Sequence, residues 1–161
     1  MDWQEVCDNP LFENLPFKVE TNRWGHIEMT PASNEHGLYQ ARIIEWLAKL
    51  DTRGHALAEC SIQTSGGVKV ADVAWGTAGF FQRNGRANPY LESPEAVVEI
   101  LSPSNTIAEM EEKRELYFAR GAKEFWVCGQ DGTMRFFNNR GELSKSALVT
   151  AFPRKIDIDF A

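Results

Sequence analysis

The chain has 161 residues, with 17 basic and 23 acidic side chains and a net charge of −6. A hydrophobic content of 43% and a charged content of 25% are those of a globular chain and exclude disorder, collagen and coiled-coil arrays. The acidic balance argues against a simple phosphate-coating protein, since strong non-specific nucleic-acid binders carry a basic footprint, but it leaves room for one basic groove on an acidic body.

The length suits one domain, residues 1–161, large enough to bury a core without a disulfide or structural metal. Cys7, Cys60 and Cys128 are far apart and form no Cys-x-x-Cys or Cys/His spacing, so free, mostly buried thiols in a reducing compartment are expected. Met1-Asp2-Trp3-Gln4-Glu5 lacks a basic and then apolar signal region, and no apolar run reaches the ~18 residues of a membrane span. The expected location is cytoplasmic, without membrane contact.

In chain order, residues 1–16 mix acids, aromatics and prolines and read as an irregular lead-in. Phe17 to Thr21 and Trp24 to Thr30 read as a hairpin turning at Asn22-Arg23. Lys18, Glu20, His26 and Glu28 alternate with apolar neighbours, as in a half-exposed ribbon. Ser33 and Asn34 are N-cap candidates for a helix from about His36 to Leu50, with Tyr39, Ile43, Trp46, Leu47 and Leu50 on one face. Ala56 to Gln63 and Val68 to Trp75 read as strands joined by Ser65-Gly66-Gly67. Gly76 to Leu91 reads as a loop. Ala96 to Leu101 is a short apolar run typical of a strand buried on both faces, and a helix follows from about Thr106 to Arg120, stopped by Gly121. Glu124 to Cys128 and Thr133 to Phe137 are further strands. The order predicts an α/β domain: an N-terminal hairpin, then helix, three strands, helix and strand, with a C-terminal β-meander and a mixed central sheet carrying one crossover helix.

Two carboxylates stand where apolar residues belong. Glu99 lies inside Ala96-Val97-Val98-Glu99-Ile100-Leu101, and Asp72 inside Val70-Ala71-Asp72-Val73-Ala74-Trp75. A buried carboxylate must be paired, protonated or bound to metal. If the two strands are neighbours, Asp72 and Glu99 converge into a hard oxygen site suited to Mg²⁺ or Mn²⁺. The competing reading has each carboxylate capping a loop or pairing with an arginine. Lys113 lies three residues after Met110 and four before Tyr117, within the inward stripe of the second helix. It needs an acidic partner or a wet cavity there, and Glu109 at i−4 or snorkelling to solvent are the alternatives.

Val98-Glu99-Ile100-Leu101-Ser102-Pro103-Ser104, followed by Lys113, Tyr117, Gly121 and Glu124-Phe125-Trp126-Val127, resembles the Uma family of putative restriction endonucleases, abundant in cyanobacteria. Trp24-Gly25-His26-Ile27-Glu28-Met29-Thr30-Pro31 with His36 resembles the family's opening hairpin and helix. Ala71-Asp72-Val73-Ala74 resembles its Pro-Asp-Val segment, with alanine in place of the proline. The resemblance spans roughly residues 17–137. It implies a restriction endonuclease-like core of the PD-(D/E)XK nuclease superfamily, whose order agrees with the elements above.

By that resemblance Asp72 and Glu99, with the backbone carbonyl of Ile100, hold the divalent metal, Mg²⁺ or Mn²⁺. The lysine position of the E-x-K motif is Leu101, and the resemblance supplies Lys113 from the next helix instead. His36 could touch the phosphate or a second metal, and Ser102 is an accessory or capping residue. Gln82-Arg83-Asn84-Gly85-Arg86 could grip a backbone phosphate or lie solvated. The implied activity is metal-dependent phosphodiester hydrolysis, in DNA, by a homodimer. The alternative is a non-catalytic interaction module that keeps the nuclease fold, with Asp72 and Glu99 paired to basic side chains. Trp3, Phe12, Phe17 and Trp24 are candidates either for an oligomer interface or for the core.

Overall fold

Side-chain caps set the ends of the two long helices. In the computed structural model, which describes residues 1–160, the Ser33 hydroxyl accepts from the His36 N–H at 3.1 Å and starts α2 (Asn34–Leu50). Tyr39, Ile43 and Leu47 form its buried stripe. Thr106 and Glu109 exchange reciprocal bonds of 3.1 and 2.8 Å and start α4 (Ile107–Ala119). That capping box occupies Glu109, so it is not the partner of Lys113. Two short helices were not expected: α1 (Trp3–Asp8), capped by Asp2 and Glu5, and α3 (Ala78–Asn84), capped by Thr77. At six and seven residues they are too short to show a helical period in sequence.

The strands are β1 (Phe17–Thr21), β2 (Ile27–Pro31), β3 (Gly54–Thr64), β4 (Gly67–Thr77), β5 (Ala96–Ile100), β6 (Glu124–Cys128), β7 (Met134–Asn138) and β8 (Gly141–Leu143). The hairpin β1-β2 stands apart, and the other six form a mixed sheet in the order β3-β4-β5-β6-β7-β8. Only β5 and β6 run parallel, and α4 is the crossover between them. The meander β6-β7-β8 closes the sheet.

Apolar residues cover both faces. On one side Ile43 and Leu47 of α2 pack on Val73, Val98, Trp126 and Phe152. On the other, Tyr117 of α4 packs among Val97, Phe125 and Phe137. Each such aliphatic side chain contributes roughly 1.5–3 kcal/mol on burial. Trp3 belongs inside as well, with Val6, Val68 and Val70, whereas Trp24 is 72% exposed. Cys60 and Cys128 are buried, and all three thiols are free. Among the described residues no helix is long and apolar enough to cross a membrane.

Two irregularities prepare the functional region. First, β5 pairs with β4 only over Val73–Trp75, so the edge of β4 from Gly67 to Ala71 lacks a strand neighbour on that side. The hairpin fills this place: the Val68 N–H donates to Thr21 Oγ1 at 2.8 Å and the Val70 N–H to Glu20 Oε1 at 2.7 Å. Second, Glu59 takes a φ of +53° and the β3–β4 ladder skips it, passing from Ala58–Val73 to Cys60–Ala71.

Gly67 holds the hairpin against the sheet. Its φ is +96°, and a Cβ there would lie 2.3 Å from the Thr21 carbonyl oxygen and 2.4 Å from that of Asn22. Gly67→Ala is expected to destabilise the protein by at least about 1–3 kcal/mol, through backbone strain and clash together. Urea unfolding measures this, and a midpoint like that of the wild type would show the contact to be dispensable.

Candidate active site

The β4–β5 register opposes Val73 to Val98, so the next position along the pair opposes Asp72 to Glu99. Opposed residues of an antiparallel pair share a face. The two carboxylates therefore meet at the fork where β4 and β5 part and the hairpin enters. Both are buried. The Ile100 N–H, free of the ladder at the fork, donates to Asp72 Oδ2 at 2.7 Å.

Three other elements bring polar side chains to this fork. From β1, the Lys18 ammonium lies 2.9 Å from Asp72 Oδ1 and 3.5 Å from Glu99 Oε2. Glu20, two residues on and so on the same face, is buried beside it. From α4, the Lys113 ammonium lies 3.0 Å from Glu20 Oε1 and 3.3 Å from Glu99 Oε1, and Tyr117 donates to the same Glu99 oxygen at 2.8 Å. From α2, His36 Nε2 lies 3.2 Å from Asp72 Oδ1. Gln40, one turn later, donates to the Asp72 carbonyl at 2.6 Å and to Glu59 Oε1 at 2.7 Å. This amide ties the irregular stretch of β3 to the backbone that carries Asp72.

Lys18, His36, Gln40, Asp72, Glu99 and Lys113 line a cavity of about 250 Å³, walled also by Phe17, Pro31, Ser33 and Ser102. Asp72, Glu99, Lys113, His36 and Ile100 are thus brought together. Ser102 reaches the cavity wall, but its hydroxyl bonds Ser104 at 2.9 Å and Asn105 at 3.0 Å, closing the turn after β5. Arg83 lies on α3, pairs with Glu92 at 2.9 Å and does not reach the cluster. Lys18, Glu20, Gln40, Glu59 and Tyr117 were not expected at the site from the sequence. The hairpin alternation was visible, but the inward face could have been either one. Here the charged face turns inward, because it supplies the acceptor that the edge of β4 lacks.

Burial and charge oppose each other throughout. Burial works to raise Asp72, but Lys18 and the His36 hydrogen bond outweigh it and hold the carboxyl below its usual range. Burial is also the largest influence on Glu99, and with Asp72 and Glu20 close by it holds this group above its ordinary value despite Lys113 and Lys18. Burial would lower both lysines, yet the surrounding carboxylates raise them above the ordinary value. They are therefore ammonium ions at neutral pH. Burial, then Glu99, holds the Tyr117 phenol well above its usual value, so it remains a donor.

The hydrogen bond to Asp72 raises His36 above its ordinary value of 6.5, more than burial lowers it. A raised folded-state value means that the imidazolium stabilises the fold. That contribution is fully present below the unfolded value and is lost as pH rises through the folded one. In chelator, the stability gap between wild type and His36→Gln is expected to be largest at about pH 5.5 and to shrink by about pH 8.5. Urea midpoints across that range provide the measurement, and a gap independent of pH would contradict the pairing.

A family model described as "Uma2: Putative restriction endonuclease" matches residues 3–156. The fold is similar to a crystal structure from Anabaena variabilis ATCC 29413, described as "a putative nuclease belonging to DUF820", with a TM-score of 0.73. The match covers 98% of this chain and 95% of that one at 17% sequence identity, a likeness of fold. No curated protein matches the chain.

Proposed function

Because the chain belongs to the Uma2 family of putative restriction endonucleases, we propose that it is a metal-dependent endonuclease that hydrolyses phosphodiester bonds in DNA. The observation that carries this reading is the opposition of Asp72 and Glu99 at a cavity, with a cation, the Lys18 ammonium, already between them.

The donor set fits a small, hard divalent ion. Asp72, Glu99 and the Ile100 carbonyl offer only oxygen, and the carboxylate pair already stabilises positive charge. Such a donor set suits Mg²⁺ or Mn²⁺, which keep several waters and share substrate phosphate oxygens, rather than an ion caged wholly by protein. When bound, such an ion polarises the scissile phosphate and lowers the pKa of nearby water.

The protein's own groups do the rest. Hydrolysis forms one P–O bond from water and breaks the P–O bond to the leaving sugar oxygen. The water gives up one proton and the leaving oxygen takes one up. Lys113, held as an ammonium ion, neutralises charge that develops on the phosphate oxygens and does not serve as a base. Tyr117 fixes the orientation of Glu99, and Ile100 and Gln40 fix that of Asp72. His36, at the cavity wall, would meet a phosphate oxygen once released from Asp72. Cutting both strands of a duplex calls for two such sites, so a homodimer is part of the proposal.

The test is incubation of purified protein with plasmid DNA, single-stranded DNA and RNA, with Mg²⁺ or Mn²⁺ or with chelator. Metal-dependent cleavage of DNA is expected. No cleavage of any substrate would favour the interaction module instead, for which one observation speaks: Lys18, Glu20, His36, Asp72, Glu99 and Lys113 each already have an opposite charge within 4.0 Å.

A further inference from the structure

We infer that Lys18 is a further catalytic residue: its ammonium holds the cation position of the Asp72–Glu99 pair until a divalent ion takes it, and then turns onto the scissile phosphate. The inference rests on the nuclease reading above and assigns a role to a residue outside the helix-and-strand order that carries the motif.

Three observations lead there. First, Lys18 Nζ lies between the two carboxylates that would hold the metal, at 2.9 Å from Asp72 Oδ1 and 3.5 Å from Glu99 Oε2. One point cannot hold both an ammonium and a divalent ion. Second, the two lysines stand on different oxygens of Glu99. Lys113 is on Oε1, where Tyr117 also donates, and is tied by Glu20, itself fixed by the Val70 N–H. Lys18 is on Oε2, and its third carboxylate neighbour, Glu20 Oε1, is 3.8 Å away. Lys113 is therefore anchored, while Lys18 is the group that must move. Third, the backbone of Lys18 is secure. Glu20 and Thr21 of the same strand accept from β4, so the hairpin stays while the flexible four-carbon stem turns. The cavity into which it turns is the one where a phosphate would approach Asp72 and Glu99.

The test uses the full chain and two measurements. Calorimetric titration with Mn²⁺ compares wild type, Lys18→Met and Lys113→Met. Lys18→Met, which lacks the competing ammonium, is expected to bind Mn²⁺ at least ~10-fold tighter than wild type and to cleave DNA at least ~10²-fold more slowly. Lys113→Met is not expected to gain affinity. The second measurement needs no variant. Acylation of wild type by an amine-directed reagent, mapped by mass spectrometry, should modify Lys18 slowly in chelator and several-fold faster in saturating Mn²⁺. Unchanged or weaker Mn²⁺ binding by a folded Lys18→Met, full cleavage by that variant, or Lys18 acylation indifferent to Mn²⁺ would each overturn the inference. In those cases the nuclease reading survives, because wild type still binds the ion. Absence of Mn²⁺ binding to wild type would overturn both. Should Lys18→Met fail to fold, the acylation of wild type decides alone.

Discussion

Asp72→Asn is expected to abolish metal-dependent cleavage while the chain remains folded. The substitution removes one negative charge and almost no volume. Its amide oxygen can still accept from the Ile100 N–H, now held by the carboxylate at 2.7 Å. Lys18 keeps Glu99 at 3.5 Å and Glu20 at 3.8 Å, so no ammonium is left buried without a partner. The cost to stability therefore falls below the roughly 3–5 kcal/mol of a buried pair broken outright. Activity has no such reserve. Lys18 and His36 keep Asp72 ionised well below neutral pH, and Asp72 is one of the two carboxylates offered to the proposed ion. Changes in the outer shell of a metal site already cost roughly 10–100-fold, so loss of a ligand should cost at least ~10²-fold. Cleavage assays, Mn²⁺ titration and a thermal melt on one preparation measure all three quantities. Residual cleavage near the wild-type rate would remove Asp72 from the mechanism, or reveal a contaminating nuclease.

Glu124→Ala should do the reverse, damaging the fold and sparing the chemistry. Glu124 opens β6 and is 2% exposed. Its Oε2 accepts from Trp126 Nε1 and Ser146 Oγ, both at 2.7 Å. Its Oε1 accepts from the N–H groups of Ala147 and Leu148 at 2.7 and 3.0 Å. This one carboxylate ties the chain after β8 to the central sheet. Alanine would leave four donors without an acceptor, at an expected cost of about 3–5 kcal/mol, or a Tm lower by roughly 10 °C. Glu124→Gln, which keeps one acceptor oxygen, should lose less. Glu124 is opposed to Ala96, at the far end of β5 from Glu99, so Mn²⁺ binding by the folded fraction should not change. Calorimetric unfolding with parallel Mn²⁺ titration separates the effects, and a Tm within about 2 °C of wild type would refute the structural role.

The contrast between these carboxylates shows how far the sequence could be read. Glu99 and Glu124 are both acids in apolar strands, and a local pattern cannot tell them apart. Glu124 meets four neutral donors. Glu99 meets two lysines, a tyrosine and a second carboxylate across the strand pair. The apolar run around Glu99 marked it as an anomaly in advance, and the family resemblance gave it the role of a metal ligand. Lys113 was legible because a lysine in an apolar helical stripe is an anomaly within one turn of chain. Lys18 was not, because a lysine alternating with apolar residues in a hairpin is ordinary.

What the sequence determined by itself was local in origin. The strands up to β7, the long helices with their caps, the crossover after β5, and Asp72, Glu99 and Lys113 as anomalies all follow from periodicity, capping and the cost of burying charge, which act over a few residues. The tertiary structure alone decided which face of the hairpin turns inward, which lysine lies between the carboxylates, and which helix hydroxyl holds Glu99. Those outcomes depend on where β5 parts from β4 and leaves an edge to be covered. That edge is created by residues far apart in the chain, and its hydrogen-bonding demand is met only once the sheet has formed.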